Sequence, residues 1–175
     1  MINTSTFLGY SAFDTFSVYE DLFLASAHVE QLRKEIDALS STLPKYSTVM
    51  GIYGVGNTYG TQLLAEIGDV SRFTHREALT AFAGVDPGAN QSGQRESKSS
   101  GASKVGSGRL RKTLFQIMTT LLQNSPEDDP VYRFLDKKRS ESKPYYVYMT
   151  AGANKFLRIY YGKVKECLRN LEQSK

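Results

Sequence analysis

The sequence predicts a mainly α protein, a long N-terminal coiled-coil-like helix followed by a helix-hairpin-helix-containing helical domain with an irregular basic loop. Three observations carry this. Apolar residues recur every three or four positions through most of the chain. No apolar/polar alternation runs long enough for a large sheet. Glycine and proline punctuate the periodic stretches where helices would stop and start. The organisation expected is an irregular segment over 1–16, a helical arm over 17–44 and a helical domain over 45–175.

The arm is drawn by Val18, Leu22, Ala25, Val29, Leu32, Ile36, Leu39 and Leu43, whose spacing alternates four and three. Such an a/d seam needs a cover. It could be the same helix in another copy, a helix of a larger assembly, or the rest of this chain. Pro44 ends the arm. A second helix face follows at Leu63, Leu64 and Ile67, with Gly68 placed to cap it and Asp69 or Ser71 to open the next element. HREALTAFAG reads as a short helix stopping at Gly84, and Val85 to Gly108 as irregular with room for a short hairpin. RLRKTLFQIMTTLLQN is a strongly apolar helix with Leu110, Leu114, Ile117, Met118, Leu121 and Leu122 on one broad face. Asp129-Pro130 starts a charged helix. Pro144 starts the last one, with Tyr148, Ala151, Phe156, Ile159, Tyr160, Val164 and Leu168 expected inside.

Composition removes several classes. The 175 residues are 40% hydrophobic and suit one packed domain with an appended arm. No apolar run approaches the ~18 residues of a spanning helix. The opening MINTSTFLGYSAFD has neither the basic nor the long apolar part of a signal peptide, so a cytoplasmic protein is expected, with no membrane partner. The one cysteine, Cys167, cannot form an internal disulfide; with only two histidines, His28 and His75, a structural zinc site within the chain is excluded as well.

The net charge of +4 is uninformative until it is located. From Asn90 to Lys112 the chain carries Arg95, Lys98, Lys104, Arg109, Arg111 and Lys112 against one acid, Glu96, a local surplus larger than that of the whole protein. The segment, NQSGQRESKSSGASKVGSGRLRK, is rich in serine and glycine. It is either a solvated loop or a phosphate-binding surface, since lysine and arginine facing a polyanion gain by releasing its counterions.

A second phosphate-facing candidate precedes it. Ile52, Gly54, Val55, Gly56 and Leu63-Leu64 fit the helix-hairpin-helix pattern better than G-x-G-x-x-G, whose third glycine would come one residue late here. Glycines let backbone amides and the positive end of the next helix approach a phosphate, a contact that is not sequence-specific. Gly54, Gly56 and Thr58 are the candidates; the alternative is a tight turn between helices that touches nothing.

Between Asp86-Pro87 and Arg111 there are six serines and no histidine, so a Ser-His-Asp hydrolase is poorly supported. A serine on a glycine-flexible loop amid cations can instead attack a phosphodiester. Ser92-Gly93, followed by Arg95, Lys98, Lys104 and Arg109, meets that requirement. Five tyrosines near the C-terminus, Tyr145, Tyr146, Tyr148, Tyr160 and Tyr161, could stack on bases, but their helical spacing favours packing.

Three ordered blocks, GVGNTYGTQLLAEIGDVSRF, LTAFAGVDPGANQSG and GASKVGSGRLRKTL, closely resemble the C-terminal domain of the insertion-sequence one-ten family of transposases, relatives of the Piv DNA invertases. The likeness runs from about Val49 to Lys165, with Tyr59-Gly60 standing where the family has a small pair. The resemblance implies that Ser92 is the nucleophile on DNA. It also implies that Ser103, Lys104, Gly106, Leu110 and Arg111 hold phosphates and seat the following helix. Family members carry an N-terminal RNase-H-like domain whose four acids bind divalent metal; Asp14, Glu20 and Asp21 cannot reproduce it. The chain therefore looks like the C-terminal part of a transposase, with no cofactor bound by this chain and magnesium expected only together with that acidic domain. DNA, a structured guide RNA, and another copy or a partner transposase subunit through the arm are the partners implied. The alternatives are a non-catalytic module that binds nucleic acid and oligomerises, as a remnant or regulator, and a repair-type helix-hairpin-helix protein.

Overall fold

A computed structural model of the chain describes residues 12–86 and 102–174, with side chains from Phe16 onward. Seven α-helices lie among the described residues: α1 (Ala12–Ser41), α2 (Tyr46–Met50), α3 (Asn57–Ile67), α4 (Arg76–Ala83), α5 (Gly108–Asn124), α6 (Pro130–Ser140) and α7 (Tyr145–Gln173). A single 3-10 turn, Val70–Arg72, links α3 to α4, and the described residues contain no strand beyond one bridge residue, Ala102. The mainly α class is as expected. No helix of the described residues is long and apolar enough to cross a membrane.

The chain divides into two compact units, 1–39 and 40–175. In the first, α1 carries the expected seam residues as far as Leu39, with Val18, Leu22, Val29, Leu32, Ile36 and Leu39 exposed; the helix begins at Ala12 and stops at Ser41, so Leu43 falls outside it. Phe16, Tyr19, Phe23 and Leu24 are exposed beside them, so the start of this helix is apolar around much of its circumference.

In the second unit two helices organise the core. α5 turns Leu110, Leu114, Ile117, Met118 and Leu121 inward, and α3, α6 and α7 pack on it. A leucine so enclosed stabilises the fold by about 2–5 kcal/mol relative to alanine. α7 buries Met149, Gly152, Ala153, Phe156, Leu157, Tyr160, Tyr161 and Val164 against α2, α4, α5 and α6. Its stripe is rotated from the one expected: Tyr148, Ala151, Ile159 and Leu168 are only half-buried. The cause is Gly152, where an added Cβ would strike Leu135 and come within 3.0 Å of the Met118 sulfur. Absence of a side chain there draws α5, α6 and α7 together and selects the face that points in.

Local chemistry sets the boundaries. Asp129 caps α6 by accepting from the amides of Val131 and Tyr132, both at 2.8 Å, with Pro130 behind it in the first turn. Gly84 closes α4 in the left-handed region at φ +65°. His75 opens α4, its Nδ1 accepting from the Ala78 amide at 3.2 Å, which is a capping duty. Buried Lys45 donates to the Gly68 carbonyl. That burial pulls its ammonium below the ordinary 10.5, and the carboxylate of Asp69 opposes the shift. Cys167 is half-buried rather than enclosed.

Candidate nucleic-acid interface

The segment 87–101 carries Ser92, Arg95 and Lys98, which lie outside the described residues. The described residues that flank it, 82–86 and 103–107, are joined by a short antiparallel set of contacts. The Ser103 amide donates to the Asp86 carbonyl at 3.0 Å and its hydroxyl to the Asp86 carboxylate at 2.5 Å. The Lys104 amide donates to the Gly84 carbonyl at 3.2 Å, and the Ser107 amide to the Phe82 carbonyl at 2.8 Å. Two glycines make this crossing possible. A Cβ on Gly84 would stand 2.8 Å from the Val105 carbonyl oxygen, and one on Gly106, at φ +128°, would fall on the Phe82 carbonyl oxygen. Lys104 itself sits at φ +53°, an uncommon conformation for a side-chain-bearing residue, and the closure of the crossing holds it there. Ser107 then caps α5, accepting from the Leu110 amide at 3.1 Å and donating to Glu66 at 2.8 Å. The glycine–serine block thus seats α5 on α4 and α3.

Beside this crossing opens a groove of about 1230 Å³ between α5, α6 and α7. Asp86 and Ala102, where the segment leaves and returns, line its edge. Five cations face it, Lys104, Arg111, Lys112, Lys155 and Arg158, against the one acid Asp86, and Phe115, Phe134 and Tyr146 supply rings. The groove therefore holds as large a positive excess as the entire chain.

Not all five cations are equally available. Arg111 donates to the Ala83 carbonyl at 3.1 Å, closing the C-terminal end of α4. Arg158 donates to Glu77 at 2.9 Å, a carboxylate that Arg76 also holds at 2.8 Å. Those hydrogen bonds, from Arg76 first, take the Glu77 carboxyl from 4.5 down to about 2. Lys155 lies with its ammonium 4.8 Å from the centre of the Phe134 ring. Lys104 and Lys112 are exposed. Arg109 is exposed at the start of α5 but does not line the groove. Ser103 spends its hydroxyl on Asp86.

The glycine hairpin lies elsewhere. Glu66 meets Ser107, Gln62 meets Thr113, and Gly54 faces Ile117 and Leu121, so α3 and α5 run antiparallel. The hairpin is consequently about 20 Å along α5 from the loop crossing, at 1.5 Å per residue. Gly54 adopts φ +77°, and its missing Cβ would meet Leu121 at 3.0 Å, so this glycine serves packing on α5. Gly56 has open space around it, Thr58 is exposed, and no side chain caps the first turn of α3. Gly54, Gly56 and Thr58 therefore stand near one end of α5, and Lys104, Arg111 and Lys112 near the other.

Sequence reasoning missed half the groove. Tyr146, Lys155 and Arg158 come from α7, far along the chain from the basic segment, and Phe115 lies one turn past Lys112 on α5. A signal existed: Lys155 and Arg158 are three apart on the face of α7 opposite Ala153 and Tyr160. Tyrosines were expected chiefly in packing. Tyr160 and Tyr161 are buried so, whereas Tyr145 and Tyr146 are exposed.

Among the described residues no three acidic, histidine or cysteine side chains gather into a possible metal site. Residues 46–133 match the family described as transposase IS116/IS110/IS902, a span of about half the chain that contains the hairpin, the segment with Ser92 and all of α5. No curated protein matches the chain significantly.

Proposed function

Because the chain belongs to the IS116/IS110/IS902 transposase family, we propose that its second unit is the part of a transposase that grips DNA and presents Ser92 as the nucleophile. The observation that carries this reading is the placement of the groove. The segment bearing Ser92 is anchored at Asp86 and Ser103, on the rim of a cavity faced by five cations. Attack by the serine oxygen on a backbone phosphorus forms a phosphoserine diester and breaks the neighbouring P–O bond; the proton given up by the serine hydroxyl is matched by one taken up by the released strand oxygen, which leaves as a hydroxyl. Lysines and arginines on one rim offset the negative charge that builds on phosphorus. Lys104 and Lys112 contribute most, because Arg111 and Arg158 are partly committed to Ala83 and Glu77. Arg95, Lys98 and Arg109 add to the field. Gly56 and Thr58, at the open start of α3, supply a second backbone contact, which suits a strand running along α5. Acids that bind magnesium, and a guide RNA, belong to the resemblance and enter no step drawn from these residues.

Two measurements test the proposal. Ser92→Ala, placed in a transposase competent for strand transfer, should abolish transfer and leave DNA affinity unchanged; persistent transfer removes Ser92 from the role. Replacing Lys104, Lys112 and Lys155 with glutamine should flatten the dependence of log affinity on log salt by about 0.7–0.9 per lysine. An unaltered slope would move the DNA to another surface.

A second reading is favoured by the exposed seam of α1. Val29 and Ile36 alternate with Leu32 and Leu39, the a/d choice that suits two strands. On that reading the chain joins a copy of itself or a transposase subunit, binds nucleic acid, and performs no chemistry. A complex with an active transposase that blocks transfer, whether or not Ser92 is present, would favour it.

A further inference from the structure

We infer that the groove between α5, α6 and α7 receives an unpaired stretch of nucleic acid, with bases stacked on Tyr146 and Phe115 and phosphates held by Lys112 and Lys155. The inference rests on the nucleic-acid reading above and narrows it to one strand state.

The argument begins with what a duplex would find here. A duplex presents phosphates outward and keeps its bases stacked, so cations on a flat surface serve it well. An apolar floor does not, because phosphates gain nothing from it and lose water over it. The lining of this groove is largely of that kind: Val85, Ala151 and Ile159 and the rings of Phe115, Phe134 and Tyr146 stand in it together with the lysines. Unpaired bases have apolar faces that aromatic rings can cover, and their phosphates stay on the outside where the lysines are.

Tyr146 is the informative residue. It sits in the first turn of the longest helix of this unit and is 73% exposed. Tyr145 holds it from one side in an edge-on contact at 5.2 Å, itself braced by Tyr148 at 5.5 Å. Phe115 lies 6.5 Å away at an angle of 44°, a tilted contact near the long end of the aromatic range that leaves the two ring faces unstacked. The rings touch one another, yet Tyr145 and Tyr146 remain exposed. Lys155, poised over Phe134, shows how a cation and a ring share this wall. The cavity of about 1230 Å³ exceeds the roughly 300–1,000 Å³ usual for a small-molecule site, which suits a polymer passing through. Five cations against one acid make that polymer an anion.

The experiment titrates the full chain into fluorescent single-stranded DNA, single-stranded RNA of the same sequence, the matching duplex, and an oligoglutamate. A 2-aminopurine base in the single strands reports stacking, and the absence of tryptophan keeps that window dark. Tyr146→Ala should weaken single-strand binding by roughly 5- to 150-fold and remove the 2-aminopurine quench, while duplex affinity changes less than about twofold. Tyr146→Phe should restore both signals. Lys155→Gln should lower the single-strand salt slope by about 0.7. The DNA and RNA arms identify which strand is taken. The inference is overturned if Tyr146→Ala leaves single-strand binding intact, if it weakens duplex equally, or if oligoglutamate binds as tightly and with the same sensitivity. Duplex binding with no single-strand binding overturns the inference and leaves the proposed function standing; no binding to any nucleic acid removes both.

Discussion

Replacing Gly106 with alanine should loosen the whole attachment of the Ser92 segment, and the size of the effect follows from three terms. The residue sits at φ +128°, where a side chain costs about 1–3 kcal/mol. The new Cβ would overlap the Phe82 carbonyl oxygen and lie 2.9 Å from that of Ala81. These are backbone atoms that cannot swing away, so overpacking adds about 1–3 kcal/mol. The bond from the Ser107 amide to Phe82 would be lost with them, about 1 kcal/mol more. The total, about 3–7 kcal/mol, corresponds to a drop in Tm of roughly 10–25 °C for a unit of this size. Gly56→Ala is the control, since nothing lies within 4 Å of its Cβ position and its φ is −84°; it should cost less than about 1 kcal/mol. Thermal and urea unfolding followed by circular dichroism read both. A Gly106→Ala protein melting within about 2 °C of the parent would mean that the crossing at Phe82 is not the tight contact described.

Three further outcomes are expected. Gly162→Ala, exposed mid-helix in α7 with open space at its Cβ position, should stabilise by about 0.5–1 kcal/mol in the same unfolding assay. Tyr160→Phe should be neutral or stabilising by about 1 kcal/mol: its buried hydroxyl has no hydrogen-bond partner among the described residues, and burial pushes its ionisation well above 10. Glu77→Gln should alter the acid limb of the stability curve. Its carboxyl is held at about 2 against an ordinary 4.5. Its contribution is thus full above pH 4.5, declines as pH falls toward 2, and should be missing from the variant across that window. The same substitution frees Arg158, so DNA affinity at neutral pH should rise; a fall would place Arg158 outside the interface.

What could be read from the sequence was what depends on neighbours in the chain. Asp129-Pro130, Gly84 and Pro144 act within one helical turn, and each marks the boundary that the periodicity suggested. The face of α5 was legible because five large apolar side chains fall on it without interruption. The face of α7 was not, because Gly152 and Ala153 carry little apolar weight in a sequence pattern yet lie where three helices meet. The basic segment announced itself by local charge density. Its partners Lys155 and Arg158 could not, since only the packing of α7 against α4 and α5 brings them near. Gly54 shows the converse: the motif was visible, but the atoms it approaches, Ile117 and Leu121, are supplied by a helix that comes much later in the chain.

The clasp between Asp86 and Ser103 separates two kinds of inheritance. On one side is a helical frame whose packing must be solved as a whole; on the other are the residues strung from 87 to 101. Because the chain departs and returns at hydrogen-bonded neighbours, doubling the number of residues between them would cost only about 0.6 kcal/mol in closure entropy. A stretch inserted at such a clasp can then be exchanged, lengthened or recharged like a fitting on a fixed socket, at little expense to the helix contacts beneath.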